Sequence, residues 1–213
     1  MNVKVVARNS KLSLLQVDEV FAKLQGVSYT LKAIKSFGDK RLDISLLKGQ
    51  APDDMFTREL DEALLNGEAD VAIHSAKDLP IALNPQIEVI ALYEATDKTD
   101  SLVSNNNLTL ATLPSGSRIG TSSPLRQKEL LTLRPNLQVV GIRGTIEERV
   151  AQVRSGKYDA VIVATCALKR LGMQNEIAEI LPFATHPMQG RLAVTALKSR
   201  PELKQIFAPQ SII

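Results

Sequence analysis

Short apolar runs with β-forming residues alternate with helically spaced apolar stripes along most of the chain. Val3–Ala7 reads as a strand, and Leu14, Val17, Phe21 and Leu24 then recur at helical spacing. Tyr29–Ile34 is strand-like. Phe56, Leu60, Ala63 and Leu64 form a second helical stripe that Asn66-Gly67 stops. Further strands are predicted at Ala69–His74, Ile87–Leu92, Arg118–Gly120, Leu137–Ile142, Tyr158–Ala164 and Arg191–Leu197. Helices are predicted at Pro124–Leu133 and Thr145–Ser155. This alternation specifies an α/β fold with mostly parallel sheets.

Two stretches break the rhythm. Thr96–Pro114 is polar and contains Asn105-Asn106-Asn107, so it reads as the crossing into a second domain. Pro182–Gly190 is helical and loop-like. The strand after it returns the chain to the first domain. The expected division is a first lobe of residues 1–96 with 191–213 and a second lobe of residues 97–190. No solenoid repeat or low-complexity tract appears.

Composition narrows the function classes. The 213 residues are 44% hydrophobic and 23% charged, which suffices for one large core or two small ones. Formal net charge is +3, without a Lys/Arg run or interleaved aromatics, so nucleic acid is not an expected partner. A single cysteine, Cys166, excludes an internal disulfide and a cysteine metal site, and no metal is expected. The N-terminal run lacks the long apolar segment of a signal peptide, and no stretch approaches the roughly 20 apolar residues that span a bilayer. The expected location is the cytoplasm.

Four strand-to-helix junctions carry candidate chemistry. Ligands of open α/β sheets sit beyond the carboxyl ends of the strands, where helix N-termini offer N–H groups to anions. Ala7-Arg8-Asn9-Ser10 supplies an arginine and an N-cap; by itself it reads as a cap beside a solvated arginine. Gly120-Thr121-Ser122-Ser123-Pro124 leads three hydroxyls into a helix with Pro at its first position, more than one cap needs. In Arg143-Gly144-Thr145-Ile146-Glu147-Glu148, capping accounts for Thr145 and Glu148 but not for Arg143. His74-Ser75-Ala76-Lys77-Asp78 places adjacent charges after a buried strand, which by itself also suits a plain solvated loop. Arginines at several strand ends suit a cleft for a polycarboxylate, because guanidinium binds carboxylate through paired, charge-assisted hydrogen bonds.

These blocks, together with Val103-Ser104-Asn105-Asn106, Tyr158-Asp159-Ala160-Val161-Ile162 and Leu168-Lys169-Arg170-Leu171-Gly172, resemble the hydroxymethylbilane synthase (porphobilinogen deaminase) family in order and spacing. The resemblance covers nearly the whole chain and is nearest to the short, chlamydia-type form. It implies two lobes of the periplasmic-binding-protein type II kind with a ligand cleft between them. It implies head-to-tail condensation of four porphobilinogen molecules, with loss of ammonia, on a dipyrromethane cofactor. By the same resemblance Asp78 and Lys77 are catalytic. Arg8, Ser10, Lys48, Thr121, Ser122, Ser123, Arg126, Arg143, Arg149, Arg170 and Gln189 bind substrate or cofactor. The implied partners are porphobilinogen and the growing pyrrole chain, without nucleic acid or membrane, and the chain is expected to act as a monomer.

The sequence departs from the family pattern in places. Pro124-Leu125-Arg126 stands where consecutive arginines are usual, which removes one carboxylate contact. The loop after Lys48 reads Gly49-Gln50-Ala51-Pro52-Asp53-Asp54, acidic where Gly and Lys are usual, and Pro187-Met188 precede Gln189 where a glycine is usual. The family's third domain, with its anchoring cysteine, has no counterpart up to Ile213, and Phe207-Ala208-Pro209 resembles the end of the short forms. Cys166 does not occupy the anchor's place and reads as a small core thiol. A primer held without a thioether is therefore expected ahead of Cys166 as a substitute anchor. Two other readings compete: a non-catalytic binder of pyrrole carboxylates or tetrapyrroles, and a transport receptor, against which the lack of a signal peptide weighs.

Overall fold

Alternation along Asn2–Arg8 builds β1 with both faces covered. Val3, Val5 and Ala7 enter one apolar cluster, and Val6 enters another on the opposite face. The computed structural model describes residues 1–208. The expectations for Pro209 and for residues 209–213 of the first lobe lie outside the described residues.

Two compact units result. The first comprises Met1–Arg41, Pro52–Ala95 and the chain from Gly190 on; the second comprises Leu42–Ala51 and Thr96–Gln189. The short segment Leu42–Ala51 thus groups with the second unit although it lies early in the sequence.

The first unit holds a five-stranded sheet in the order β2-β1-β3-β10-β4, with β2 Ser28–Ile34, β3 Val71–Ser75, β4 Ile87–Tyr93 and β10 Leu192–Leu197. β1 pairs in parallel with β2 and β3, and β10 runs antiparallel between β3 and β4. Helices α1 (Lys11–Phe21) and α7 (Pro201–Phe207) cover one face through Val17, Val20, Phe21, Leu203 and Phe207. Helix α3 (Arg58–Leu65) covers the other through Leu60, Ala63 and Leu64. Between them in sequence lies a single turn, α2 (Phe37–Lys40), closed by a Ser36/Asp39 capping box.

The second unit repeats this plan. Its sheet order is β7-β6-β8-β5-β9, with β5 Asp100–Ser104, β6 Arg118–Thr121, β7 Gln138–Gly141, β8 Ala160–Ala164 and β9 Glu179–Leu181. β6 pairs in parallel with β7 and β8, and β5 is the antiparallel strand between β8 and β9. Helices α4 (Pro124–Leu133), α5 (Ile146–Arg154) and α6 (Thr165–Arg170) bury Leu130, Val150, Val153 and Leu168. In each unit the antiparallel strand is the one that follows the chain's last crossing into it, β5 after Thr96 and β10 after Gly190.

The second unit resumes at Thr96, where the crossing was read, but β5 follows directly, inside a stretch for which no strand was predicted. Its five residues are all buried. Asp100, Ser101 and Ser104 are polar by sequence but satisfied by partners: Arg126, Thr165 Oγ1 at 2.7 Å and the Leu108 carbonyl at 2.6 Å. The Asn run is the turn that ends this strand, with Asn106 and Asn107 in the left-handed region that asparagine tolerates. β9 likewise lies just ahead of the stretch read as loop-like. Among the described residues, no helix is long and apolar enough to cross a membrane.

Candidate functional site

At the carboxyl end of the first unit's sheet, β1 ends in Arg8 and β3 runs into a 3-10 turn, Ala76–Asp78. Ser10 caps α1, accepting from the Ser13 amide at 3.2 Å. Arg8 is not the solvated arginine that the isolated motif suggests. Its Nε donates to Asp39 Oδ2 at 3.1 Å, its Nη2 donates to Asp39 Oδ1, and its Nη1 lies 3.6 Å from Asp78 Oδ2. The guanidinium also stacks on Phe56, 4.5 Å from the ring centre.

Asp39 is delivered by local geometry. The Ser36 cap fixes the α2 turn, with the Ser36 amide and hydroxyl both donating to Asp39 Oδ2, at 3.1 and 2.8 Å. Gly38 lets Phe56 and Met55 close over that turn, since a Cβ there would overlap both side chains. Burial works against the Arg8 charge, but the Asp39 hydrogen bond and the Asp78 and Asp39 charges outweigh it and raise its pKa. Burial likewise pushes the Asp39 carboxyl up, and the Arg8 and Ser36 contacts more than reverse this. Neither Asp39 nor Phe56 is legible as a site residue in the sequence; the Ser36-x-x-Asp39 cap was the available signal.

His74 lines the same pocket with Arg8, Ser13, Phe56, Ser75 and Asp78. It is buried, its Nε2 lies 3.0 Å from Thr195 Oγ1, and burial followed by the Arg8 charge pushes its pKa down to about 4. The unfolded chain takes up this proton near 6.5, so it binds more protons than the native state between pH 6.5 and 4. Native stability should therefore fall as pH drops from 6.5 towards 4, by at most about 1.4 kcal/mol per pH unit from this group, with no contribution to the slope above 6.5. Urea midpoints at pH 7.5 and 5 for the parent and His74→Gln test this. An identical pH slope in both would refute it.

In the second unit, β6 ends in Thr121-Ser122-Ser123, and each hydroxyl has a protein partner. Thr121 Oγ1 accepts from the Ser123 amide at 3.2 Å, Ser122 Oγ donates to the Ile142 carbonyl, and Ser123 Oγ caps α4 by accepting from the Arg126 amide at 3.3 Å. As an acceptor in that bond, Ser123 keeps its hydroxyl hydrogen for another group. Arg126 meets protein groups where ligand contacts were expected. Its Nε and Nη2 grip Asp100 at 2.9 and 2.6 Å, Nη1 reaches the Ile162 carbonyl at 3.3 Å, and Nη2 reaches Gln189 Oε1 at 3.3 Å. Gln189 is 2% exposed and donates to Asp100 Oδ1 and to the Lys98 and Thr99 carbonyls at 2.8, 3.0 and 3.2 Å. Asp100, the centre of this network, was hidden from sequence reading inside the polar stretch read as the crossing into the second domain.

β7 leads to Arg143 and to the N-terminus of α5. Thr145 and Glu148 form the predicted capping box. Gly144 has φ +106°, so the backbone there favours glycine, and a Cβ 2.5 Å from Glu148 Oε2 would push that carboxylate off its capping bond. Arg149 Nε donates to the Gly144 carbonyl at 2.9 Å, which lays it across the cap. Arg143, Arg149, Arg170 and Lys77 are all partly exposed and Lys48 is exposed. Cys166 lies in the first turn of α6, 4% exposed. Asp54, counted among the added acids near Lys48, pairs with Arg58 at 2.8 Å.

Each unit is thus an open sheet whose carboxyl edge carries cations and hydroxyls. This is the fold of the periplasmic-binding-protein type II kind. A lipoprotein of Bacillus subtilis superposes with a TM-score of 0.57 at 11% identity, covering 97% of this chain and 90% of that one. The BvgS VFT2 domain of Bordetella pertussis superposes with a TM-score of 0.55 at 16% identity, covering 97% and 84%. These likenesses establish the fold alone.

Sequence relatives go further. The family model for porphobilinogen deaminase, dipyromethane cofactor binding domain, matches residues 3–205. The porphobilinogen deaminase of Nitratidesulfovibrio vulgaris is 38% identical over 211 residues, covering 96% of this chain and 66% of that protein. That of Stenotrophomonas maltophilia is 38% identical, covering 97% and 70%, and that of a Roseiflexus species is 39% identical, covering 95% and 69%. The chain belongs to the porphobilinogen deaminase family, and it spans about two thirds of the length of these curated relatives.

Proposed function

We propose that the chain is a transferase that condenses four porphobilinogen molecules, with loss of ammonia at each addition, into a linear tetrapyrrole that one water molecule then releases as hydroxymethylbilane. The observation that carries this reading is Asp78, a carboxylate at the end of a buried central strand, held beside an arginine that is itself clamped by Asp39. Loss of the aminomethyl nitrogen as ammonia leaves positive charge delocalised onto the pyrrole nitrogen. A fixed carboxylate near that N–H stabilises the charge as it develops, and shuttles a proton between ring and leaving amine. Attack by a pyrrole α-carbon on the resulting methylene forms the new carbon–carbon bond, and that carbon then loses its proton. Charge complementarity towards the substrate's acetate and propionate improves binding, but only a group that acts more strongly in the transition state accelerates the step.

In this reading Arg143, Arg149, Arg170, Lys48, Lys77, Ser10 and Ser123 bind carboxylates. Arg126 and Gln189 act through position, holding the start of β5 and the end of the second unit. The donor set of the second unit suits the dipyrromethane, a polycarboxylate; Ser123, Arg143 and Arg149 would hold its acidic side chains. When bound, that cofactor supplies the free pyrrole α-carbon to which the first porphobilinogen is joined. Cys166 does not suit a thioether to it, being buried in α6. The reading extends to a monomer in the cytoplasm acting on small molecules without nucleic acid, with which a single buried thiol is consistent.

The test is turnover. Purified protein is incubated with porphobilinogen, and uroporphyrin absorbance is followed after acid oxidation. Product above the no-protein control is expected. Folded protein that binds porphobilinogen and forms none would replace the enzyme with a pyrrole-carboxylate binder.

A further inference from the structure

Arg191 belongs to none of the motifs above, yet the strand order places it at the same sheet edge as Arg8 and the turn that carries Asp78. It precedes β10, and its carbonyl accepts from the Ala76 amide at 3.0 Å, which extends the β3–β10 ladder into the turn that carries Asp78. Side chains alternate along β10, so Arg191 shares a face with Ala193 and Thr195. Thr195 meets His74, and His74 lines the pocket with Arg8 and Asp78. Along the carboxyl edge of this sheet the order is therefore Arg8 on β1, Asp78 after β3, Arg191 at β10 and Glu94 after β4. Arg191 thus stands at the head of the strand that neighbours β3 on the side away from β1.

The guanidinium of Arg191 is only loosely engaged. Its Nη2 donates to both Glu94 oxygens, at 2.6 and 2.8 Å, but the Glu94 side chain is 72% exposed, so the pair is screened and worth little. Its Nε is buried with no hydrogen-bond partner. An orphaned buried N–H is costly, and the Nε–Nη2 edge of an arginine matches the two oxygens of one carboxylate. Arg8, by contrast, already spends that edge on Asp39.

We propose that Arg191 is a substrate-binding residue that takes one carboxylate of porphobilinogen through its Nε–Nη2 edge, with Glu94 as the carboxylate it gives up. The identity of the substrate rests on the function proposed above; the carboxylate site itself does not. Binding relieves the orphaned Nε and adds a carboxylate subsite on the sheet edge that carries Asp78. It therefore sets which acidic side chains the first unit accepts.

The experiment is calorimetric titration of the full chain with porphobilinogen and, separately, with succinate, alongside steady-state turnover. The proteins compared are the parent, Arg191→Ala, Arg191→Lys and Glu94→Gln. Arg191→Ala should weaken both ligands at least tenfold and raise KM similarly, with kcat within about threefold. Arg191→Lys should recover only part of this, because a point charge lacks the paired edge. Glu94→Gln should tighten both ligands about two- to fivefold by removing the competing carboxylate. Affinities within twofold of the parent in Arg191→Ala overturn the proposal, as does a parent that binds neither ligand. A parent that forms no tetrapyrrole, but loses carboxylate affinity on Arg191→Ala, keeps the site and removes the enzymatic reading.

Discussion

Asp78→Asn is expected to lower kcat by on the order of 10²–10³-fold while porphobilinogen affinity changes by less than about threefold. The substitution keeps the shape of the side chain and removes only its charge. Arg8 stays clamped by Asp39 through both Nε and Nη2, so the local structure does not depend on the Asp78 contact at 3.6 Å. What disappears is the anion that stabilises the developing positive charge, an interaction that matters more in the transition state than in the bound ground state. Turnover by uroporphyrin absorbance and binding by calorimetry separate the two effects. A variant with nearly full kcat, or one whose affinity falls as steeply as its rate, would remove Asp78 from the chemistry.

Asp100→Ala should destabilise the second unit by about 3–5 kcal/mol, because it strands a guanidinium inside the protein. Arg126 is 8% exposed and Asp100 1%, so water cannot replace the lost carboxylate without rearrangement. Gln189 loses the Asp100 acceptor at the same time. The joint replacement Asp100→Ala with Arg126→Ala should cost less than the sum of the single changes, since no unpaired charge is left behind. Urea unfolding by circular dichroism measures this, with a midpoint shift of about 1 M or more expected for Asp100→Ala. A loss below about 1 kcal/mol would mean that the pair is better hydrated than its geometry implies.

The two residues also show where sequence reading succeeds and fails. The position of Asp78 is legible because its context is local: the buried run Val71–Ser75 stops at a turn that carries adjacent charges, while its catalytic role came only from the family resemblance. Helix starts are legible for the same reason. Ser10, Ser123 and Thr145 with Glu148 each cap the helix that follows within three residues, and α4 spans the predicted Pro124–Leu133. Asp100 is not legible. An Asp and two Ser in five residues hide a buried strand until Arg126 from α4, Thr165 from α6 and the Leu108 carbonyl satisfy them inside the sheet.

The sequence by itself therefore determined the α/β class, most of the strands, the helix caps and the charged junctions, because each follows from periodicity or from hydrogen bonds spanning a few residues. The tertiary structure alone decided which charge meets which. Asp39, 31 residues from Arg8, turns a free-looking cation into a fixed one, and Asp100 does the same for Arg126 across 26 residues. It also decided that β5 and β10 run antiparallel in the middle of otherwise parallel sheets. Pairing between distant segments depends on which side chains burial brings together, and a linear pattern carries no record of that partner until the chain has folded.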